Sequence, residues 1–201
     1  MATFQSIANQ QQDDYFALFS LPRKLQIAGD ALEQKFLQLS WKLHPDNFVN
    51  SSEAERESTL QRSSALNDAY RVLRDPVGRV EYLLSLEGAR IEGEKKQQAP
   101  PELLEEVFEL NESLDELRDA KAAGGNIAAL KARLESAQKN FQQRLAEVDG
   151  ELQAQFQEWD KTVDANAPDA ARQAVIAKLN AILNRRTYIR NLVNGVEKEL
   201  Q

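Results

Sequence analysis

Hydrophobic positions recur with helical spacing along almost the whole chain. Tyr15, Phe16, Leu18 and Phe19 form a short apolar run behind Asp13 and Asp14, which suit a helix N-cap, and Pro22 closes it. A second run, capped by Asp30, places Leu32, Phe36, Leu39 and Leu43 on one helical face. His44-Pro45-Asp46 stops that helix, because a residue before proline avoids the α region, and residues 47–52 then read as a loop. The spacing predicts a third helix over 53–74, with Leu60, Leu66, Tyr70 and Leu73 as core positions. Asp75-Pro76 ends it and opens a fourth helix through Val80, Tyr82, Leu83 and Leu86.

The pattern changes at residues 88–101 (GARIEGEKKQQAPP), a polar stretch with a proline pair. It reads as a linker, which divides the chain into a domain over 1–88, a linker over 89–101 and a second domain over 102–201. Longer amphipathic segments follow. Leu103, Val107, Leu110, Leu114 and Leu117 step by four and three. After a Gly124-Gly125-Asn126 turn, Ile127, Leu130, Leu134, Ala137, Phe141, Leu145, Val148, Leu152, Phe156 and Trp159 continue the same rhythm. Pro168 then stands where a first-turn proline is tolerated, ahead of Val175, Leu179, Ile182, Ile189, Val193 and Val196. Three such segments with short connections predict an antiparallel three-helix bundle. Arg186 falls on the last apolar stripe, where only snorkelling accounts for it. No strand-like alternation persists, so the expected fold is all-α.

Composition narrows the chemistry. The 201 residues fit one large domain or two small ones. Lys and Arg number 25 against 32 Asp and Glu, and a net charge of −7 disfavours a nucleic-acid partner, which needs clustered cations. There is no cysteine and one histidine, His44, so disulfides, thiol chemistry, Cys-ligated metal and histidine relays all lack parts. No apolar run approaches a membrane span. Met1–Gln12 carries neither positive charge nor an apolar segment of signal-peptide type. The expectation is a soluble, cytoplasmic protein without metal or cofactor. No phosphate-cradling glycine loop or tuned carboxylate pair supports an enzyme.

The tripeptide His44-Pro45-Asp46 gains weight from its setting. A histidine there can simply cap a helix end. Here it follows the Phe36, Leu39, Ser40, Leu43 face and precedes Ala65-Leu66-Asn67-Asp68-Ala69-Tyr70-Arg71-Val72-Leu73-Arg74-Asp75-Pro76 and Arg79. The combination resembles a J-domain, a helical hairpin with this loop exposed at its tip. Three stretches narrow the resemblance to the HscB family of J-type co-chaperones of iron–sulfur cluster assembly. They are Asp14-Tyr15-Phe16-Ala17-Leu18-Phe19-Ser20-Leu21-Pro22, His44-Pro45-Asp46-Asn47-Phe48, and Glu81-Tyr82-Leu83-Leu84-Ser85-Leu86 ending in Gly88. The family usually has lysine where Asn47 stands. The resemblance implies that the loop engages an ATP-bound chaperone of the HscA or DnaK class and stimulates its hydrolysis. Basic residues on the preceding helix face an acidic surface of that partner: Lys35 and Lys42 fill this role, Lys42 foremost, with Arg23 and Lys24 upstream. The segment to about Gly88 is expected to fold and to stimulate by itself.

The bundle carries a charge asymmetry. Between Glu102 and Asp119 eight acids face Arg118 alone, a local charge of −7. Glu105, Glu109, Glu112, Glu116 and Asp119 form one stripe opposite the leucines, at about 100° per residue, and Leu104 and Phe108 fall between the two stripes. This makes a candidate apolar patch rimmed by carboxylates. Within the resemblance, Leu104, Phe108, Glu109, Glu112 and Glu116 match the site for an IscU-type scaffold, Tyr188 completes it from the last helix, and Glu105 stands where an apolar residue belongs. The competing reading is a solvated acidic face, with Phe108 packed inward and the stripe neutralised by Arg172, Lys178, Arg185, Arg186, Arg190 and Lys198. Three functions therefore stand side by side: a co-chaperone that delivers the scaffold, a J-domain protein with another client, and a helical adaptor or oligomerisation module.

Overall fold

Seven α-helices and no strand are formed by the described residues of the computed structural model, which are 14–48, 51–90 and 100–201. They are α1 (Tyr15–Leu18), α2 (Gly29–Lys42), α3 (Glu53–Arg74), α4 (Pro76–Leu86), α5 (Leu104–Ala122), α6 (Ala128–Asp164) and α7 (Asp169–Leu200), with 3-10 turns at Pro45–Phe48 and Pro101–Leu103. The Met1–Gln12 segment, the Asp13 cap, residues 49–50 of the expected loop and residues 91–99 of the expected linker lie outside the described residues. The all-α class is as the periodicity predicts: four helices, then three long ones.

Side chains set the helix starts. Asp14 accepts the Phe16 N–H at 2.9 Å, opening α1. Ser52 and Glu55 form a capping box at α3, each satisfying the other's free backbone N–H. Asp75 accepts the Gly78 N–H at 2.7 Å while Pro76 takes the first helical position of α4. Asp30, expected as a cap, instead sits in the first turn of α2 behind Ala28, which makes no side-chain cap. There the carboxylate faces the positive end of the helix dipole.

Four helix ends share one device. Ala89 N–H reaches Leu84 C=O and Gly125 N–H reaches Ala120 C=O, with Gly88 (φ 64°) and Gly124 (φ 66°) in the left-handed region that glycine enters without steric cost. Ser20 (φ 51°) and Asn166 (φ 46°) close α1 and α6 in the same way. Ser20, rather than Pro22, therefore ends α1.

The chain packs as two compact units, Met1–Ala89 with Phe156–Arg172, and Arg90–Gln155 with Gln173–Gln201. In the first, α2 and α3 pair as a hairpin. Its buried residues include Phe16, Phe19, Leu25, Leu32, Leu66, Ala69, Leu73, Val80, Leu83 and Leu84. Two stacked ring pairs, Tyr15–Tyr82 at 4.4 Å and Phe36–Tyr70 at 4.2 Å, tie α1 to α4 and α2 to α3. Leu60, expected in the core, is 68% exposed. Its turn of α3 buries Thr59 instead, about 20° from Leu66 on the helix whereas Leu60 lies about 120° away. The Thr59 hydroxyl donates to Glu55 C=O at 2.8 Å, so the residue is buried with its polar atom satisfied.

Buried polar groups hold the connection between α1 and α2. Arg79 is buried and donates to the carbonyls of Leu25 and Leu73, and its burial lowers the guanidinium pKa. Asp160 accepts the N–H groups of Leu25 at 2.7 Å and Gln26 at 3.1 Å, and burial raises its carboxyl above the usual range. Trp159 Nε1 donates to Arg23 C=O at 2.8 Å. Trp159 and Asp160, placed by the sequence pattern in the second domain, thus pack within the first unit.

In the second unit the apolar stripes repeat every seven residues: Leu103, Leu110 and Leu117; Leu134, Phe141 and Val148; Val175, Ile182, Ile189 and Val196, all buried. Arg186, set among the last of these, bonds Asp149 of α6 through its guanidinium. Only the apolar stem joins the stripe, and the charge is met by a partner on the neighbouring helix.

Candidate functional site

The His44-Pro45-Asp46 loop is built by the end of α2. Lys42 closes the helix, and the carbonyl of Trp41 receives two donors, His44 N–H at 3.3 Å and the Asn47 side-chain amide at 2.7 Å. Asn47 N–H in turn donates to His44 C=O at 3.0 Å. Proline at position 45 fixes its own φ and opens the 3-10 turn Pro45–Phe48. Asp46 N–H donates to His44 Nδ1 at 3.3 Å, which assigns the ring proton to Nε2. The imidazole therefore keeps its Nε2–H available in an exposed side chain beside the Asp46 carboxylate, whose Oδ2 lies 3.5 Å from Nδ1. Both side chains are exposed, Asp46 by 85%. The arrangement presents one donor and one anion on a short, braced turn. Both groups stand in solvent, where a partner can reach them.

The cations near the loop differ in availability. Lys42 is exposed in the last turn of α2. Lys35 is half-buried and donates to the carbonyls of Phe19 at 2.8 Å and Ser20 at 3.3 Å, closing the end of α1. Arg23 binds Asp14 at 2.8 Å and lies 3.9 Å from Glu87, and Lys24 binds Asp164 at 2.6 Å. All three thus have partners within the first unit.

On α5, Leu104 and Phe108 are one turn apart and exposed by 55% and 72%, so Phe108 is not core. Glu105, Glu109, Glu112 and Glu116 are exposed along the same helix. Glu116 lies 3.6 Å from Arg133, while Glu109 and Glu112 make no ion pair among the described residues. Tyr188 is half-buried on α7. The expected neutralisation of this helix by α7 is slight. Glu102 lies 3.7 Å from Arg185, but Glu106 pairs with Arg144 of α6 at 2.6 Å, and Arg185 and Arg186 bind Glu151 and Asp149 of α6. Arg118 bonds Glu199, which raises the arginine and lowers the glutamate. A groove of about 400 Å³ between α5 and α6 is lined by Glu106, Glu109, Leu110, Arg133, Phe141 and Arg144. Among the described residues no cluster of three or more acids and histidine is placed to hold a metal ion, and no helix is long and apolar enough to cross a membrane.

No family model matches the chain. Curated relatives do. It is 35% identical over 187 residues to the Co-chaperone protein HscB homolog of Vibrio vulnificus (strain YJ016), covering 93% of this chain and 98% of that protein. A second relative of the same name, from Vibrio campbellii, is 35% identical over 167 residues, covering 83% and 92%. The chain belongs to the HscB co-chaperone family.

Solved HscB structures agree with the fold. Chaperone HscB from Vibrio cholerae superposes with a TM-score of 0.52 at 31% identity, over 92% of this chain and 96% of that one. Human co-chaperone protein HscB gives a TM-score of 0.59 at 24% identity over 92% and 81%, a likeness of fold. As a member of the HscB family, the chain has an N-terminal J-domain and a C-terminal helical bundle. Sequence reasoning missed two exposed apolar residues beside the loop, Trp41 at 78% and Leu37 at 53%. Their signal was available: both fall off the Leu32, Phe36, Leu39, Leu43 stripe, on the outer side of α2.

Proposed function

We propose that this HscB-family chain is a J-domain co-chaperone of iron–sulfur cluster assembly. Its His44-Pro45-Asp46 loop stimulates ATP hydrolysis by an HscA- or DnaK-class chaperone, and its bundle delivers an IscU-type scaffold to that chaperone. It acts in the cytoplasm without catalysis or cofactor of its own, and its partners are proteins rather than nucleic acid or membrane. Residues 1–88 carry the chaperone-binding role and 102–201 the client-binding role, joined through 89–101. The loop geometry carries the reading: an exposed imidazole and an exposed carboxylate on a turn braced by Trp41 C=O and Asn47. Lys42 adds an exposed positive charge that steers an acidic partner, and Lys35 a fixed one. Leu104 and Phe108 supply apolar anchors for the scaffold, Glu109, Glu112 and Glu116 its charged rim, and Tyr188 the contribution of α7. Holding client and ATPase together couples hydrolysis to the presence of a client.

The test is ATP turnover by an HscA-class ATPase with this protein alone, with an IscU-type scaffold alone, and with both. Stimulation by the protein and a further gain with scaffold is the expected result. No stimulation in any mixture refutes the chaperone role, and stimulation indifferent to scaffold refutes the client.

A further inference from the structure

Trp41 and Leu37 stand four residues apart on α2, hence on one helix face. That face lies roughly opposite the Leu32, Phe36, Leu39, Leu43 stripe, by about 170° for Trp41 and about 130° for Leu37. An indole that is 78% exposed is the largest apolar surface a single residue can leave in water, and Leu37 extends it by a turn. Nothing in the packing of the hairpin requires either side chain. The backbone of Trp41, by contrast, is fully engaged: its carbonyl is the atom on which His44 N–H and the Asn47 amide converge. The ring is therefore mounted on the residue that braces the loop, so its point of attachment keeps a fixed place beside the loop.

We propose that Leu37 and Trp41 form the apolar anchor by which the chaperone ATPase is gripped beside the His44-Pro45-Asp46 loop. The inference rests on the chaperone-binding role of the loop proposed above, and adds what holds the partner there. Size argues for the same occupant. The exposed parts of one Trp and one Leu amount to roughly 300 Å², well short of the roughly 800 Å² per partner that a stable interface buries, so the pair needs further contact surface. A patch of that standard area centred on His44 has a radius of about 16 Å. Trp41 is three residues from His44, no more than about 11 Å of chain, and Leu37 is about 6 Å farther along the helix. A partner that covers the loop covers Trp41 as well. Exposed Lys42 lies beside this surface, so the complementary site is an apolar pocket with acidic groups at its edge.

The experiment uses the full-length protein and an HscA-class ATPase, and measures single-turnover ATP hydrolysis against co-chaperone concentration. Leu37→Ala/Trp41→Ala should melt with the wild type, because both side chains are exposed. It should raise the concentration for half-maximal stimulation by about 10–100-fold while the plateau at saturation is kept. Trp41→Phe, which retains an aromatic anchor, should stay within about three-fold of the wild type. Trp159 is buried, so the exposed indole emission belongs to Trp41 and should shift to shorter wavelength when the ATPase binds. An unchanged half-maximal concentration in the double variant overturns the anchor, as does a lost plateau, which would assign Trp41 to loop geometry. Dissociation of a self-associated wild type by the same substitutions also overturns it, in favour of a second copy. Asp46→Asn separates the two proposals. If that variant still stimulates fully, the loop reading itself fails; if it is inactive while Leu37→Ala/Trp41→Ala is indistinguishable from wild type, the anchor alone fails.

Discussion

His44 and Asp46 bear on recognition, and their neighbours bear on stability. His44→Gln or Asp46→Asn should leave helicity and melting nearly unchanged, since both side chains are exposed, while stimulation of the ATPase is lost. Calorimetry beside ATP turnover checks both halves. Arg79 is the opposite case. Removing it as Arg79→Ala strands the carbonyls of Leu25 and Leu73 in the interior, at a cost on the order of 2–4 kcal/mol in denaturant unfolding. Leu60→Gln should change stability by no more than about 0.5 kcal/mol, whereas Leu66→Ala costs about 2–5 kcal/mol. Periodicity placed Leu66 and Leu73 correctly, yet preferred Leu60 over Thr59 because it weighs residue type above helical angle. Thr59 was illegible for a physical reason: its hydroxyl is satisfied by its own helix, a fact that hydropathy does not encode. His44 was legible because proline dictates the turn wherever it stands.

At the scale of the helix, α5 shows what an amphipathic pattern can and cannot say. Leu103, Leu110 and Leu117 are buried and the stripe Glu105, Glu109, Glu112, Glu116 and Asp119 is exposed, as the spacing predicts. Leu104 and Phe108, on the boundary between the stripes, had two readings, and no arithmetic on the chain separates them, because a boundary residue packs only if a neighbouring element reaches it. Their exposure means that Leu104→Ala/Phe108→Ala should cost under about 1 kcal/mol of stability, not the roughly 3–5 kcal/mol of a core phenylalanine. Combined with Tyr188→Ala, the same changes should weaken scaffold binding by about 2–4 kcal/mol by titration calorimetry. Normal binding by the triple variant excludes this face as the docking surface. Changing Glu109, Glu112 and Glu116 to Gln should chiefly slow association and flatten its dependence on salt, since rim charges act on encounter.

At the scale of the whole molecule, the unit in which residues pack is not the one that chain order suggests. The apolar rhythm runs through Phe156 and Trp159 and resumes at Val175 after the Pro168 turn, so nothing in the pattern assigns Phe156–Arg172 to the first unit. The structure groups that segment with Met1–Ala89, where Trp159 bonds Arg23 C=O, Asp160 bonds the N–H groups of Leu25 and Gln26, Lys24 pairs with Asp164, and Arg172 pairs with Glu87 at 2.7 Å. A fragment ending at Ala89 lacks every one of these partners. It keeps the hairpin and the loop, so it should still stimulate the ATPase, but the N–H of its buried Leu25 loses the Asp160 carboxylate. It should unfold at a lower urea concentration than the same region does in the intact chain, and in the intact chain Trp159→Ala should cost about 3–5 kcal/mol. Asp160 adds a dependence on pH whose sign follows from its raised pKa. Between the usual carboxylate range near pH 4 and its raised value, the folded state holds more of this proton than the unfolded state does. The contribution of Asp160 to stability therefore falls as pH rises through that window. Glu199, lowered by Arg118, and Glu55, lowered by the Ser52 N–H, act in the opposite direction, so the bare wild-type curve blends all three. Asp160→Asn removes the titration and leaves an amide oxygen to accept from Leu25. Urea unfolding of the pair at several pH values should show the stability of wild type relative to Asp160→Asn declining as pH rises from about 4. A constant gap would mean that the two N–H groups balance desolvation at this carboxylate, and one that widens in the wild type's favour that they outweigh it.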